Sequence, residues 1–215
     1  AAIGLKAIVV IDNTSCGPAI GGVRMAPDVS IAECFRLARA MTWKNAAAGL
    51  PHGGGKSVIF ADPRMPLNEK ERIVRAFADS IRDIADYIPG PDMGTDELCM
   101  GWVRDETGRS VGLPAAVGGI PLDEIGATGW GVCQSAEIAA GYCELELKGA
   151  RVAVQGFGAV GKHAARFLSE RGAVLVAASD SHGTLVDAGG LDVQALIALK
   201  AEGRPLADFA NGTKL

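Results

Sequence analysis

The sequence predicts an α/β fold in two parts, and three observations carry that prediction. Short β-branched runs alternate with longer segments whose apolar residues recur at helical spacing. Arg151-Val152-Ala153-Val154-Gln155 runs directly into Gly156-Phe157-Gly158-Ala159-Val160-Gly161, with a helical pattern and another strand-like run behind it. Well before that, Leu50-Pro51-His52-Gly53-Gly54-Gly55-Lys56 delivers one lysine from a run of three glycines. The chain of 215 residues is long enough for one large domain or two small ones, with a buried core.

Taken in order, residues 5–11 (Leu-Lys-Ala-Ile-Val-Val-Ile) read as a strand. Ser30-x-x-Glu33 is a capping box that opens a helix through Phe35, Leu37, Ala38 and Met41 to Ala48, closed by Gly49 and Pro51. Asn68-x-x-Glu71 opens a second helix, whose Ile73, Val74, Phe77, Ile81, Ile84 and Ala85 form a core stripe. Pro89-Gly90-Pro91 ends that element, and Thr95 is expected to cap a third helix through Met100, Trp102 and Val103. Residues 108–126 are rich in Gly and Pro and read as loop or short irregular structure. A helix over 130–143 precedes a strand at 151–155, a helix at 162–171, a strand at 174–179 and the start of a further element at 191–199.

Composition narrows the function. No apolar run approaches the roughly 18 residues of a membrane span, and no secretory signal opens the chain, so a cytoplasmic protein is expected. A net charge of −4 argues against nucleic acid or an anionic membrane as partner, since both select basic surfaces. Five cysteines, Cys16, Cys34, Cys99, Cys133 and Cys143, lack C-x-x-C spacing and read as reduced and buried. His52, His163 and His182 lack metal-ligand spacing, so no metal site is expected. The first strand begins almost at Ala1 and the chain stops at Leu215 beyond a half-built nucleotide fold, so both ends read as cut.

Glycine has no Cβ, so the run before Lys56 lets backbone turn sharply and approach a small ligand, leaving one ammonium as the dominant polar group. Gly55-Lys56-Ser57 imitates the end of a phosphate loop, but that motif needs glycine at position 50, where Leu50 stands. Lys44 lies twelve residues before Lys56, and Asp92 thirty-six after it, between Pro89-Gly90-Pro91 and Met93-Gly94. Two cations and a carboxylate suit an amino-acid-sized substrate. By themselves, Lys44 also reads as a solvated cation at a helix end, and Asp92 as a turn residue.

The second site is a dinucleotide turn. Gly156 permits the tight turn, Gly158 lets a pyrophosphate approach, Gly161 lets helix and strand touch, and the helix N-terminus faces the anion. Asp180, nineteen residues past Gly161, is placed to accept from the adenosine ribose hydroxyls. This favours NAD, while Ser181 and His182 leave NADP open.

Gly21-Gly22-Val23-Arg24, Met41-Thr42-Trp43-Lys44, Leu50 through Lys56 with Asp62-Pro63, Gly90-Pro91-Asp92-Met93-Gly94-Thr95, Ala127-Thr128-Gly129 and the dinucleotide turn follow one another along the chain. That ordered set resembles the glutamate/leucine/phenylalanine/valine dehydrogenase family, the NAD(P)-dependent amino-acid dehydrogenases. The resemblance implies an N-terminal mixed-sheet substrate-binding (dimerisation) domain, residues 1–128, truncated at its N-terminus. A partial Rossmann-like NAD(P)-binding domain, residues 129–215, follows, with the active site in the cleft between them. It implies oxidative deamination of an L-amino acid to a 2-oxo acid and ammonia, by a homo-oligomer of six or eight chains. By the same resemblance Lys44 holds the substrate α-carboxylate, Lys56 and Asp92 are catalytic, and Gly54 and Gly55 lie against the substrate. Thr128 orients the nicotinamide carboxamide, and residues 156 to 161, Phe157, Ala159 and Val160 included, bind the dinucleotide.

Substrate choice draws conflicting signals. Glutamate-specific members carry a lysine where this chain has Ile20, and an isoleucine cannot pair with a side-chain carboxylate. Apolar substrates of the leucine, valine or phenylalanine type are therefore favoured. Residues 90–97 and 120–129 look instead like members called glutamate dehydrogenases, which makes glutamate the alternative. A non-catalytic dinucleotide-binding homologue, or an inactive fragment, is the third reading.

Overall fold

Strand β1 (Ala7–Asn13) pairs antiparallel with β3 (Gly53–Ile59), while β2 (Ala19–Met25) runs parallel to both β3 and β4 (Tyr87–Pro91). This mixed sheet, order β1-β3-β2-β4, organises the first of two units, Ala1–Pro121, in a computed structural model that describes residues 3–215. Its connections are α1 (Ile31–Ala47), α2 (Leu67–Ser80) and α3 (Glu97–Thr107). Alternation along β2 sends Ala19, Gly21, Val23 and Met25 into a buried face, and Ile20, Gly22 and Arg24 to the half-buried other one. On the buried side Val23, Met25, Ile59 and Tyr87 pack with Val74, Phe77, Met100 and Val103 from α2 and α3. On the opposite side Val58 packs with Ile8, Val10 and Cys34, the last from α1. Phe77 is fully buried, so truncating it to alanine would cost about 3–5 kcal/mol.

Local chemistry sets the helix ends, not always as the sequence suggests. Ser30 caps α1 by accepting from the Glu33 N–H at 3.2 Å, but the Glu33 carboxylate turns away to Arg24 rather than completing the capping box. Helix α2 begins at Leu67 behind Pro66, so Asn68 lies inside it and caps nothing. Asp96, not Thr95, caps α3, accepting from Cys99 N–H at 2.9 Å. Pro89-Gly90-Pro91 is not a terminator but most of β4. Arg109 anchors the entry to that strand by donating to the carbonyls of Ile81 and Ile84 at 2.7 Å and of Tyr87 at 2.9 Å.

In the second unit, Leu122–Leu215, β5 (Arg151–Gln155) and β6 (Val174–Asp180) are parallel and joined through α6 (Ala159–Glu170). An antiparallel ribbon extends the sheet from β6 to β7 (Gly183–Val186) and β8 (Thr213–Lys214), in the order β5-β6-β7-β8. The short helix α4 (Leu122–Ile125) leads into α5 (Ala127–Tyr142), which packs on α6, and α7 (Val193–Ala201) follows β7. The 128/129 boundary read from sequence falls inside α5. Phe157, Leu175, Leu185, Leu196 and Leu206 form this unit's core.

All five cysteines are free, and Cys34, Cys99 and Cys133 are buried, where burial pushes their thiols up. Cys16 and Cys143 are exposed, against the expectation that all five are buried. Among the described residues no helix is long and apolar enough to cross a membrane, and no group of three or more His, Cys, Asp or Glu side chains gathers to hold a metal.

Candidate active site and dinucleotide turn

The three glycines before Lys56 do not turn the chain. Gly53, Gly54 and Gly55 are the first residues of β3, in extended backbone, and all three are buried. Their lack of a side chain serves close packing. A Cβ on Gly54 would meet the backbone of α1, with Ala38 O at 2.6 Å, and one on Gly55 would meet the Tyr87 ring at 2.9 Å. Asn45, in the last turn of α1, donates from Nδ2 to Gly53 O at 2.7 Å and ties the helix to the strand. Gly21 and Gly22 likewise lie in β2 rather than in a turn, and a Cβ on Gly21 would run into the Gly55 carbonyl.

Lys56 is therefore held by sheet geometry. It is 5 % exposed, and its Nζ is ion-paired with Asp92 Oδ2. Arg24 Nε donates to the same oxygen at 3.1 Å, and Arg24 Nη1 donates to Glu33 Oε1 at 2.5 Å. Gly22 makes this constellation possible, because a Cβ there would lie 2.7 Å from Asp92 Cβ and 3.0 Å from Lys56 Nζ. Ile20, half-buried, sits two residues before Gly22 on the same face of β2.

Asp92 itself is fixed by the turn after β4. Its N–H donates to Thr95 Oγ1 at 3.0 Å, Thr95 Oγ1 donates to Val23 O at 2.7 Å, and Met25 N–H donates to Met93 O at 2.9 Å. Gly94 has φ of 82°, and the Met25 carbonyl occupies the place of its Cβ, so the turn demands glycine. Burial of the Asp92 carboxyl works toward a higher pKa. The hydrogen bond and charge of Lys56, the Met93 N–H and Arg24 outweigh it and hold the group below the ordinary carboxylate range. Behind the site, Ser57 donates to the Tyr87 hydroxyl at 2.6 Å, and that hydroxyl donates to Gly21 O at 2.9 Å. Burial pushes the Tyr87 phenol well up, so it stays neutral and can fill the donor role.

Lys44 stands apart from this cluster. It is exposed on the last turn of α1, and its ammonium has no hydrogen bond or ion pair to another described residue. Lys56 and Asp92 are thus brought together, Ile20 shares their face, and Lys44 presents a free ammonium. Arg24 and Glu33 are the residues that the sequence leaves without a role. Arg24 is visible only as the end of a Gly-Gly-x-Arg motif, and Glu33 reads as a capping residue.

In the second unit the glycine-rich turn between β5 and α6 is open on one side. Gly156 has φ of 87°, Gly158 is the N-cap of α6, and neither has anything within 4 Å of a built Cβ. A Cβ on Gly161 would meet the Gly156 carbonyl and lie 3.0 Å from Val154 Cγ1, so glycine there lets α6 touch β5. Ala159 and Val160 form the exposed first turn of α6, whose unpaired N–H groups suit an anion. Phe157 turns its ring away into the core, and its N–H donates to Ser179 O at 2.7 Å. The open turn fits a dinucleotide pyrophosphate, which could approach where no side chain intrudes.

Thr128 is exposed in the first turn of α5, behind Gly126, and Gly129 beside it packs on His163 of α6. Asp180 ends β6 beside a cavity of about 400 Å³ lined by Gly156, Gly158, Ser181 and Lys200 among others. Its side chain is only 8 % exposed, and its carboxylate already accepts three hydrogen bonds, from Lys200 Nζ, Leu206 N–H and His182 N–H, each at 2.9 Å. Burial works to raise its pKa, but those three donors and the Lys200 charge bring it down to about 2. Nothing in the local sequence marks Lys200 as the partner of Asp180.

The chain has relatives among known proteins. Residues 2–109 match the sequence family described as Glu/Leu/Phe/Val dehydrogenase, dimerisation domain, and residues 118–215 match Glutamate/Leucine/Phenylalanine/Valine dehydrogenase. The chain is 39 % identical to the glutamate dehydrogenases of Aeropyrum pernix and Thermotoga maritima, over 94 % of its own length and 51 % and 52 % of theirs. Among solved structures, the hetero-hexameric glutamate dehydrogenase of Thermus thermophilus in its Leu-bound form is similar with a TM-score of 0.86 and 34 % identity. That match covers 94 % of this chain and 52 % of the other. The chain spans about half the length of the curated relatives it matches.

Proposed function

Because the chain belongs to the Glu/Leu/Phe/Val dehydrogenase family, we propose that it is part of an NAD(P)-dependent amino-acid dehydrogenase that deaminates glutamate to 2-oxoglutarate and ammonia. The observation that carries this reading is the Lys56–Asp92 ion pair set against Gly22, in a chain that also builds an open G-x-G-x-x-G turn. The first unit would bind the amino acid and the second the dinucleotide. Both curated relatives described above are named glutamate dehydrogenases, which supports glutamate over the apolar substrates that Ile20 favours.

The chemistry follows from the side chains. Lys44, unpaired and exposed, takes the substrate α-carboxylate. Bound NAD(P) would supply the acceptor for the hydride that leaves the substrate Cα, with residues 156 to 161 holding its pyrophosphate and Thr128 its carboxamide. Oxidation leaves an imine on the substrate, and water adds to it to give a carbinolamine. Asp92, kept ionised by its cationic neighbours, takes the proton from the attacking water and returns it to the departing nitrogen. Lys56 holds the carbinolamine oxygen and balances the Asp92 charge. The match to a dimerisation domain supports assembly as an oligomer, and the hetero-hexameric Thermus thermophilus relative favours six chains over eight without favouring identical ones.

A second reading, an apolar amino acid as substrate, rests on Ile20, which lies on the face that carries the ion pair. Measuring kcat/KM of the full-length protein for glutamate, leucine, valine and phenylalanine with cofactor in excess decides between them. Preference for glutamate is expected. Preference for leucine or valine would instead make Ile20 the determinant, and no turnover of any of the four would overturn the dehydrogenase reading.

A further inference from the structure

The adenosine-ribose end of the dinucleotide cavity differs from the arrangement that usually selects NAD. There, a free carboxylate at the end of the second strand accepts from the ribose hydroxyls and repels a 2′-phosphate. Here the carboxylate of Asp180 is withdrawn into the protein. Oδ2 accepts from Lys200 Nζ and Leu206 N–H, Oδ1 accepts from His182 N–H, and the side chain is 8 % exposed. These bonds tie the end of β6 to α7 and to the turn at Leu206–Asp208. The Lys200 ammonium cancels the charge locally, and of its three donors only one is committed to Asp180. Lys200 is 24 % exposed at its side chain and lines the cavity beside Gly156 and Gly158, and the exposed residue Ser181, whose hydroxyl lies 3.2 Å from His182 Nδ1, lines the same cavity.

Resting on the dinucleotide reading of this turn, we infer that Lys200 is a specificity-determining residue and that the site accepts NADP as well as NAD. A 2′-phosphate arriving beside Asp180 meets a neutralised pair instead of an open carboxylate. It also finds the spare donors of Lys200 and the Ser181 hydroxyl within the same cavity. The ribose 2′-hydroxyl of NAD meets the same groups and loses only the acceptor strength of a free acid. The Lys200–Asp180 bond is thus a brace in which Lys200 masks the acid while Asp180 holds back part of the Lys200 charge.

Direct binding tests this without relying on turnover. NADH and NADPH are titrated against the full-length protein by nicotinamide fluorescence, for the wild type, Lys200→Gln, Lys200→Arg and Asp180→Asn. The two wild-type dissociation constants are expected to agree within about tenfold. Lys200→Gln should weaken NADPH by about tenfold or more while changing NADH by less than about threefold, and Lys200→Arg should retain NADPH. Wild-type discrimination against NADPH of about a hundredfold, or equal weakening of both by Lys200→Gln, overturns the inference. Should Lys200→Gln fail to fold, as melting without cofactor would show, Asp180→Asn decides. Its ratio of NADPH to NADH affinity should rise, and an unchanged or lower ratio overturns the assignment of Lys200. Failure of the wild type to bind either dinucleotide removes the dinucleotide reading itself, an outcome distinct from discrimination between the two.

Discussion

Glycine does opposite work in the two units. In the first, Gly21, Gly22, Gly53, Gly54 and Gly55 are needed because protein atoms already occupy the place where a Cβ would stand. They let β2, β3 and α1 close to the point where Lys56 and Asp92 pair across Gly22. In the second, Gly156 and Gly158 face empty space, so their missing side chains leave room for something the protein does not supply. One cluster of glycines builds a site by packing and the other keeps a site open. Gly161, pressed against the Gly156 carbonyl, belongs with the first kind although it lies in the second unit.

The sharpest break of this comparison is chemical. Asp92→Asn leaves the sheet and its glycines in place but removes the carboxylate that Lys56 and Arg24 hold. Catalytic turnover of the full-length protein should fall about 10²–10⁴-fold, with far-UV circular dichroism unchanged. A drop of only a few-fold would remove Asp92 from the proton-transfer role.

Next come the glycines themselves. Gly21→Ala drives a methyl into the Gly55 carbonyl, so strands must separate, and stability should fall by about 3 kcal/mol or more in urea titrations. Gly158→Ala meets no atom and has φ of −91°, which alanine adopts freely, so its stability should change by less than about 0.5 kcal/mol. Its dinucleotide affinity should nevertheless drop, because the methyl occupies the approach to the α6 N-terminus. Equal stability losses in the two variants would erase the distinction between packed and open glycines.

Arg24 tests how the packed site is tuned. Arg24→Gln removes a charge-assisted bond to Asp92 and frees Glu33, and kcat should fall about tenfold to a hundredfold. A purely structural role would lower activity without moving its pH dependence. Loss of the Arg24 hydrogen bond takes away one of the influences that depress Asp92, so the acidic limb of the kcat profile should move to higher pH. Arg24→Lys should restore part of both effects.

What sequence could show follows the same division. Signals carried by neighbouring residues were legible: the tight glycine turn at Gly156, the Ser30 cap, and the α2 stripe through Ile73, Val74 and Phe77, although the helix stops at Ser80 before Ile84 and Ala85. The glycines before Lys56 were visible but misleading, since they form a strand and not a turn. Strands β2 and β4 were not legible, because Gly-Gly within Ala-Ile-Gly-Gly-Val and Pro-Gly-Pro after Tyr-Ile interrupt the β-forming residues, and pairing with neighbouring strands decides the outcome. Links between distant side chains were equally hidden. Arg24 to Glu33 crosses from strand to helix, and Asp180 to Lys200 spans twenty residues with no spacing rule to announce it. The identity of Asp180 was readable, but its saturation by protein donors was not. An exposed acid and a braced one have the same sequence signature.

The brace also carries the smallest effect expected here, a dependence of stability on pH. The Asp180 carboxyl falls from the ordinary 3.8 to about 2 in the folded chain. A group depressed in this way stabilises the fold fully above the unfolded value and progressively less as pH falls toward the folded one. The contribution, about 2 kcal/mol near neutrality, should therefore fade between pH 4 and pH 2. Other depressed carboxylates, Asp12 and Asp92 among them, titrate over the same acid range, so total stability cannot isolate it. The difference between wild type and Asp180→Asn can. That gap, measured by urea unfolding, should be widest at pH 6 and close as the wild-type carboxyl is protonated. A gap that stays constant to pH 2 would mean that Asp180 is not held by its donors, and Lys200 would then face an open acid rather than a neutralised one.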